Sequence, residues 1–271
     1  MSTSAALRFT TGELSQLERD GFVVRTSVLS GKELDELRDI VESIAAAVAA
    51  HARREGAGPE ATLGDGHRIQ FSSRAAIQWE WQEGSNEIRL VEPCDHLHPR
   101  LGALFEDPRI YEPLTDAVGC EHLMPFTSKL NMKRAVEGSE FPFHQDYPYW
   151  YVAVGADAAD IATAVLFLDD ATADNGALRV LPGSHRHGPA PRDPNDPTGF
   201  LADAASLDVD GEMTLELPAG SVVFFGAFLV HRSSPNRSSS HRRALLPSMQ
   251  PAGRPRLQDV PYRPELVVDL P

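Results

Sequence analysis

The chain has 271 residues, of which 42% are hydrophobic, and carries a formal net charge of −14 at pH 7. This length and composition suffice for one large core, and all-β domains of this size often fold as one unit, so we expect a single domain over residues 1–271. The acidic balance argues against nucleic acid and anionic membrane surfaces as partners, because both attract basic patches. We expect a small-molecule partner, and the sequence leaves the oligomeric state open.

Two further features of the sequence favour a cytoplasmic location. No segment approaches the roughly 20 apolar residues of a membrane-spanning helix, and the first residues lack an apolar run of signal-peptide length. The two cysteines, Cys94 and Cys120, do not form a C-x-x-C pair. A disulfide framework is therefore not expected, and reduced thiols are the default.

Helical patterns dominate the N-terminal part of the chain. Residues 11–20 predict a short helix that ends at Gly21, and residues 22–29 predict a brief apolar strand. Ser30 and Glu33 form a capping-box pattern, which predicts the start of a long helix. Apolar residues then recur at helical spacing: Leu34, Leu37, Ile40, Val41, Ile44 and Val48.

After the first helices, the residue pattern changes from helical spacing to short strand-like runs. Residues 56–75 lack periodicity, and we interpret them as a mobile loop or lid. Residues 99–118 predict a second helical stretch. From about 121 to 252, strand-like runs alternate with separators rich in Gly, Pro, Asn and Asp, which is typical of a sandwich or barrel. We expect helical decoration over about 11–119, a β core over about 121–252, and a Pro- and Asp-rich insertion at 187–210.

The most informative motif is His144-Gln145-Asp146. An H-x-D step places an imidazole and a carboxylate near each other on an extended segment. A third ligand from a neighbouring strand would complete a triad of two histidines and one carboxylate, which leaves three metal positions open and suits Fe(II) with a co-substrate and O2. The alternative is a surface loop with a chance His and Asp. Aromatic residues crowd the segment: Phe141, Phe143, Tyr147, Tyr149, Trp150 and Tyr151.

A second histidine, His231, ends an apolar run over residues 221–231 of the kind that lies in a core or barrel wall. Alone, it is either a core histidine or a ligand. A turn-rich linker, PNRSSS, then leads to a strand with Arg242, and the strands of a hairpin lie about 4.8 Å apart. We therefore expect Arg242 to point into the same cavity as His231. A buried guanidinium needs an anion, and the far carboxylate of 2-oxoglutarate would fit its fork.

Together these motifs resemble the phytanoyl-CoA dioxygenase family of Fe(II)/2-oxoglutarate oxygenases. The similarity covers about residues 121–252 and lies in HQD, LPGSH, and H-x-S-x-x-N with an arginine eleven residues after its histidine. The runs KLNMKRAVEGSEFPFHQDYPYWY and LDDATADNGALRVLPGSH are especially similar to the ectoine-hydroxylase branch. The resemblance implies a mainly β fold with flanking helices, a double-stranded β-helix (jelly roll, cupin-like). It also implies a dioxygenase that uses Fe(II), 2-oxoglutarate and O2.

Matched position by position, the resemblance implies His144, Asp146 and His231 as catalytic iron ligands. It implies that Arg242 pairs with the 2-oxoglutarate carboxylate and that Ser233 helps to hold it. Three further residues match positions that line the co-substrate: Asn131, Phe141 and Thr163.

The positions that face the substrate depart from the ectoine branch. Trp150 matches a substrate-facing tryptophan, but Thr127 stands where that branch has a substrate-contacting glutamine. The acidic pattern after the tryptophan is also missing, and the chain has YVAVGADAAD instead. These departures indicate a substrate other than ectoine. We expect hydroxylation of a C–H bond in a small molecule, such as an amino acid, a cyclic amine or a natural-product intermediate, with release of succinate and CO2.

Several other residues have simpler interpretations. His185, in LPGSH, is expected to shape a turn beside the site. Arg243 follows Arg242 on a strand and so should point to the other face of the sheet. There we expect it to be solvated or to form a salt bridge. The segment Cys94–His98 resembles a metal cluster by chance, and Trp79 and Trp81 are either core residues or a substrate wall.

Three rival functions can be weighed against the oxygenase. A halogenase of similar fold needs a small residue in place of the ligand carboxylate, and Asp146 occupies that place. A non-catalytic, cupin-like metal or small-molecule binder would have no use for the complete triad with Arg242. A zinc hydrolase can use two histidines and a carboxylate, but the arginine would then lack a purpose.

Overall fold

Two antiparallel β-sheets form the frame of the protein, whose computed structural model describes residues 7–54, 60–63, 66–72, 75–80 and 85–260. The strands are β1 (Phe22–Arg25), β2 (Glu60–Thr62), β3 (Arg68–Ser72), β4 (Ala75–Trp79), β5 (Ile88–Glu92), β6 (Leu123–Asn131), β7 (Phe141–His144), β8 (Ala162–Phe167), β9 (Leu178–Val180), β10 (Met213–Thr214), β11 (Val222–Gly226), β12 (His231–Ser233) and β13 (Ala244–Pro251). The larger sheet has nine strands, β1-β11-β8-β13-β6-β5-β4-β3-β2, and the smaller has four, β10-β9-β12-β7. This architecture confirms the predicted fold class.

Helices from the N-terminal part of the chain cover the outer face of the larger sheet. The helices are α1 (Thr11–Asp20), α2 (Gly31–Arg54), α3 (Pro99–Gly102), α4 (Pro108–Val118) and α5 (Asp146–Val154). Helices α2 and α4 contribute Leu37, Val41 and Leu114 to a hydrophobic cluster that also contains Leu166 of β8 and Phe224 of β11. The apolar stripe predicted along the long helix is therefore the face that packs on the sheet.

A second hydrophobic cluster lies between the two sheets. It joins Val165, Phe167 and Phe225 of the larger sheet to Leu178 and Val180 of β9. Successive side chains of a strand point to opposite faces, so alternate residues of β8 and β11 belong to the two clusters. The same alternation decides which polar side chains reach the space between the sheets.

Local capping explains where the first two helices begin and end, and it confirms the predicted boundaries. The backbone N–H of Ser30 donates to the Glu33 carboxylate at 2.8 Å, and the N–H of Glu33 donates to the Ser30 hydroxyl at 3.4 Å. Gly21 closes α1 with φ of 86°, a left-handed conformation that favours glycine.

The N-terminal part is less helical than expected. Strands β1 to β5 all join the larger sheet, and β5 pairs with β6 of the expected β core. Strands β2 and β3 fall within residues 56–75, so the interpretation of that whole segment as a loop or lid is wrong. Residues 55–59, 64–65 and 73–74 lie outside the described residues. The strands are short, and their pairing is long-range, which local patterns do not reveal.

Three other elements differ from the sequence-based expectation. Helix α5 follows the H-x-D motif directly, although that segment was expected to be extended. Residues 99–118 form α3, a 3-10 turn (Ala103–Phe105) and α4, so the predicted helical stretch is interrupted. Strands β12 and β13 lie in different sheets, so the expected hairpin between them does not form.

The insertion at 187–210 is mostly irregular and packs back on β7. The Asp196 carboxylate accepts hydrogen bonds from the backbone N–H groups of Thr198, Phe200 and Leu201 at 2.8–2.9 Å. Leu201 then forms an isolated antiparallel bridge with His144. The insertion therefore reaches the end of the strand that carries the H-x-D motif.

Within these described residues, the helices are all too short or too polar to cross a membrane.

Candidate metal centre and active site

The H-x-D motif bridges a strand and a helix. His144 is the last residue of β7 and Asp146 the first residue of α5. Gln145 between them is 1% exposed, and its side-chain amide donates to the carbonyl oxygens of Gly188 and Phe228 at 3.0 and 2.6 Å. Its side-chain oxygen accepts from the Ala190 N–H at 2.8 Å. This central residue, whose role the sequence did not reveal, fixes the turn that brings His144 and Asp146 together.

His231 reaches the same point from the neighbouring strand. It begins β12 and lies directly opposite His144 of β7 in the antiparallel register. The two imidazole centroids are 4.2 Å apart. One potential ligand atom each of His144, Asp146 and His231 lies within 4.8 Å of the other two, so the three side chains could hold a metal ion. The predicted triad therefore converges.

Both imidazoles have the orientation of metal ligands. The Nδ1 atom of His144 lies 2.7 Å from the Pro142 carbonyl oxygen, and Nδ1 of His231 lies 2.9 Å from that of Leu229. With the proton on Nδ1, each Nε2 is left with a lone pair for a metal. Burial and the neighbouring His231 lower the pKa of His144 to about 3, and burial lowers the pKa of His231. Both rings are therefore neutral, the form that binds metal.

Lys129 is a neighbour of the triad that the sequence did not reveal. It lies on β6, and its Nζ donates to Oδ1 of Asp146 at 3.1 Å. Burial alone would raise the pKa of Asp146, but Lys129 and the two histidines outweigh it, so that pKa is lowered. A charge-assisted hydrogen bond of this kind fixes the orientation of a carboxylate. The only hint in the sequence was alternation, since Thr127, Lys129 and Asn131 share one face of β6.

Arg242 precedes β13 and is buried, with 4% of its surface exposed. Its guanidinium carbon lies 5.9 Å from the ring centroid of Phe167, which belongs to the cluster between the sheets. Among the described residues, its Nε has no hydrogen-bond partner. Burial lowers its pKa to about 10, which leaves it charged at neutral pH. A buried cation in this state calls for an anionic ligand.

The neighbouring arginine points away, as predicted. The Arg243 guanidinium pairs with Asp169 at 2.7 Å and with Glu42 of α2 at 2.9 Å, on the outer side of the larger sheet. Arg242 thus reaches the interior from the sheet that faces His231. The hairpin from which a shared cavity was inferred does not form, and the shared cavity of Arg242 and His231 stays a prediction.

Of the predicted co-substrate residues, Asn131 is the one that strand pairing places close to Arg242. Asn131 pairs with Ala244, two residues after Arg242, and its side-chain oxygen has no hydrogen-bond partner among the described residues. Ser233 pairs with Phe141 across β12 and β7. The guanidinium carbon of Arg89 lies over the Phe141 ring, 3.8 Å from the ring centroid.

The donor set and the buried arginine agree with the protein family to which the chain belongs. Residues 17–244 match the family model of phytanoyl-CoA dioxygenase (PhyH). The chain belongs to the PhyH family. It is therefore a 2-oxoglutarate-dependent non-haem iron dioxygenase, with Fe(II), 2-oxoglutarate and O2 as its cofactors.

Characterised relatives within this family act on small molecules. The chain is 30% identical over 240 residues to an ectoine dioxygenase of Bordetella parapertussis, covering 83% of this chain and 70% of the relative. It is also 30% identical over 183 residues to an L-proline trans-4-hydroxylase of Streptomyces griseoviridis, covering 61% and 68%.

Solved structures support the fold. The EctD enzyme of S. alaskensis, in a crystal structure with 2-oxoglutarate and 5-hydroxyectoine, superposes with a TM-score of 0.69 at 22% identity, covering 90% of this PhyH chain and 76% of that one. The carbocyclase SnoK from nogalamycin biosynthesis superposes with a TM-score of 0.67 at 20% identity, covering 97% and 89%. At these identities, the likeness concerns the fold.

Three PhyH positions inferred from the resemblance lie away from Arg242. The Thr163 and Ser248 hydroxyls are 2.7 Å apart, and both residues are buried. Thr127, opposite Ser248, donates its hydroxyl to the Glu92 carboxylate at 2.9 Å. Trp150 is 1% exposed, and the Lys129 Nζ lies 5.5 Å from its ring centroid.

An aromatic pair that the sequence did not reveal lies beside His144. Tyr149 of α5 approaches the His144 ring edge-on, with centroids 5.9 Å apart. Phe200, from the 187–210 insertion, stacks on Tyr149 with centroids 4.4 Å apart. The insertion therefore supplies part of the wall around this end of the site, and no periodic pattern could have placed Phe200 there.

The remaining candidate residues from the sequence make contacts that stabilise the fold. His185 lies against α1, with Nε2 3.2 Å from the Glu18 carbonyl oxygen. In the segment Cys94–His98, Asp95 is bound by Ser128 at 2.6 Å and by Arg256 at 2.8 Å. Trp79 is 2% exposed and donates to Gln70, which makes it a core residue, whereas Trp81 lies outside the described residues.

Proposed function

We propose that this enzyme hydroxylates a C–H bond of a small molecule, such as an amino acid, a cyclic amine or a natural-product intermediate, and releases succinate and CO2. One observation carries the proposal: His144, Asp146 and His231 converge within 4.8 Å, in an interior that also contains the buried guanidinium of Arg242. Two neutral imidazoles and one carboxylate suit Fe(II) with open positions. The arginine suits a dicarboxylic co-substrate.

In this proposal, His144, Asp146 and His231 hold the iron, which when bound supplies the activation of O2 together with 2-oxoglutarate. The chain contributes preorganisation. Backbone carbonyls orient both imidazoles, and Lys129 engages one oxygen of Asp146 so that the carboxylate keeps a single orientation. Such outer partners support both ligand geometry and metal affinity.

The proposed co-substrate contacts follow from the position of Arg242. Its guanidinium would pair with the far carboxylate of 2-oxoglutarate, with Ser233 beside it and with Asn131 and Phe141 along the same end of the interior. The side-chain oxygen of Asn131 and the Nε of Arg242 have no partner within the part of the chain that the structure describes, which supports this assignment. Thr163, whose hydroxyl meets Ser248, would contact the co-substrate only from the other end.

The proposed substrate pocket lies around Trp150 and Thr127. Relatives named for L-proline and for ectoine support a small, polar organic substrate. The Thr127 hydroxyl donates to Glu92, so it does not offer the substrate the amide group that a glutamine would offer at this position. This difference from the ectoine branch supports a different substrate. Cys94 and Cys120 are free thiols, in keeping with the cytoplasmic location that we propose.

The proposal is tested by succinate formation in the iron-loaded enzyme. Wild-type protein with Fe(II), 2-oxoglutarate and O2 should release succinate, and a panel of amino acids and cyclic amines should raise that rate for the substrate, with product mass giving the added oxygen. Asp146→Ala should abolish release, while Asp210→Ala, an exposed aspartate, should not. Iron and 2-oxoglutarate that bind without any succinate would instead indicate a non-catalytic binding protein.

A further inference from the structure

A carboxylate beside the proposed iron site has no part in the chemistry described so far. Glu92 is the last residue of β5 and is half-buried. Its Oε1 accepts a hydrogen bond from the Thr127 hydroxyl at 2.9 Å. Burial is the main cause that raises its pKa, and the charges of Lys129 and Asp146 also act on it. Glu92 therefore lies near Lys129 and Asp146, and its hydrogen bond places the carboxylate on the same face of the larger sheet as Thr127.

The strand register separates Glu92 from the co-substrate end. On β13, Ala244 lies opposite Asn131 and Ser248 lies opposite Thr127. These pairs are four residues apart, or roughly 13 Å along the strand. Arg242 adjoins the first pair, and the Glu92 carboxylate adjoins the second.

Lys129, between these pairs on β6, marks the level of the metal. Its Nζ binds Asp146, and its residue position falls midway between Asn131 and Thr127. The Glu92 carboxylate is hydrogen-bonded to Thr127. Along the strand direction, the order is therefore Arg242 first, Asp146 next and Glu92 last. A 2-oxoglutarate molecule gripped by Arg242 would leave Glu92 to the substrate.

The charges around Glu92 favour a positively charged guest. The nearest cation is Lys129, but its hydrogen bond is committed to Asp146 at 3.1 Å. Among the described residues, Glu92 has a hydroxyl as its hydrogen-bond partner and no ion pair of its own. A partly desolvated carboxylate without a dedicated cation is costly, and an ammonium group on the substrate would remove that cost.

We propose that Glu92 is a specificity-determining residue that accepts a protonated nitrogen of the substrate, so that the enzyme oxidises a cationic amine. This inference rests on the proposed function and narrows its substrate class. Thr127 orients the carboxylate through its hydroxyl, which explains why a threonine serves at a position where the ectoine branch has a glutamine. Neutral and purely anionic molecules of the same shape are disfavoured.

The test compares amines with isosteres that lack the charge. The probes are L-proline against tetrahydrofuran-2-carboxylate, and piperidine against tetrahydropyran. Each is titrated without O2 into wild-type enzyme loaded with Fe(II) and 2-oxoglutarate, and succinate release is then measured with O2. We expect the amine of a pair to bind more tightly, and Glu92→Gln to weaken it roughly 30-fold or more. The isostere should change by less than about threefold.

Two variants keep the result interpretable. Glu18→Gln removes an exposed carboxylate and should leave every affinity unchanged. Thr127→Val removes only the hydroxyl that orients Glu92 and should weaken amines alone, which tests the assignment if Glu92→Gln does not fold. Neither Glu92→Gln nor Thr127→Val should alter the affinity for 2-oxoglutarate.

The outcomes separate this inference from the proposed function. The role of Glu92 is overturned if the amine and its isostere bind equally well, or if neither binds. It is also overturned if Glu92→Gln weakens both by the same factor. In each case the enzyme would still bind 2-oxoglutarate and release succinate, so the proposed function would hold. Failure of the iron-loaded wild-type enzyme to bind 2-oxoglutarate overturns the proposed function, and this inference with it.

Discussion

The two ends of the space between the sheets are built differently. At one end, Arg242 and Asn131 present buried polar atoms without partners among the described residues. At the other end, Thr127 binds Glu92, and Thr163 binds Ser248. In our proposal the first end binds 2-oxoglutarate, and the family resemblance implies the same role for its side chains. At the second end, the hydroxyls of Thr127 and Thr163 already have side-chain partners. The contrast supports our proposal that the co-substrate binds at the first end and the substrate at the second.

The largest effect is expected at Trp150, because this residue tests whether α5 belongs to the second end or to the core. Trp150 is 1% exposed and packs edge-to-face on Phe126 with centroids 5.6 Å apart. Trp150→Ala should therefore cost about 3–5 kcal/mol of stability, measured by thermal or denaturant unfolding. If the ring also walls the substrate pocket, the folded fraction should release more succinate per product formed.

Trp79→Ala provides the control for that result. Trp79 is also buried, at 2% exposure, but lies on β4 and binds Gln70. Its loss should lower stability comparably and leave coupling unchanged. A large drop in melting temperature with unchanged coupling in Trp150→Ala would remove Trp150 from the substrate site.

Arg242 tests the first end. Losing one partner of a buried, hydrogen-bonded charge pair costs about 2–5 kcal/mol, so Arg242→Ala should weaken 2-oxoglutarate binding by roughly two orders of magnitude. Arg242→Lys should rescue only partly, since a point charge lacks the fork. The measurement is a titration of 2-oxoglutarate into the iron-loaded variants. Arg243→Ala, which breaks the outer pair with Asp169, should not change this affinity, and a large loss there instead would reverse the assignment.

A smaller effect is expected at Lys129, which lies between the two ends. Lys129→Met removes the hydrogen bond to Asp146 but leaves all three proposed iron ligands, so Lys129 acts as a positioning residue. Outer partners of metal ligands are typically worth 10–100-fold in metal affinity or activity, and we expect a loss of about that size in Fe(II) affinity. Lys32→Met, on the exposed face of α2, is the matched control. Unchanged Fe(II) affinity in Lys129→Met would show that the contact has no influence on the site.

The smallest effect is expected at Phe200 in the insertion. An aromatic pair contributes about 0.5–1.5 kcal/mol beyond its buried area, so Phe200→Ala should raise the KM for the substrate by roughly two- to tenfold through the loosened Tyr149. The affinity for 2-oxoglutarate should not change. Phe71→Ala, at an exposed phenylalanine, serves as the control. A change in 2-oxoglutarate affinity without a change in the KM for the substrate would show that Phe200 and Tyr149 act on the co-substrate and not on the substrate.

Local chemistry made much of this molecule predictable. The capping boxes and Gly21 set the first helices through contacts within a few residues, and such contacts can be read from the chain. The triad could be predicted because two of its members are adjacent in an H-x-D step. The orientation of Arg243 followed from the alternation of a strand and from nothing else.

What escaped prediction depended on distant pairing. Strands β2 and β3 are short and owe their place in the larger sheet to pairing with other strands. Helix α5 is buried on several sides, with Tyr147, Trp150 and Val152 among its buried residues, so no polar stripe marked it as a helix. Lys129 and Glu92 look like ordinary strand residues until the register brings them to Asp146 and Thr127.

A crystal structure grown without O2, with Fe(II) and 2-oxoglutarate and with anomalous data collected at the iron edge, tests the central claim most directly. We expect one iron bound by His144, Asp146 and His231, and the far carboxylate of 2-oxoglutarate paired with Arg242. Iron bound by other residues, or a carboxylate that leaves Arg242 unpaired, would contradict it.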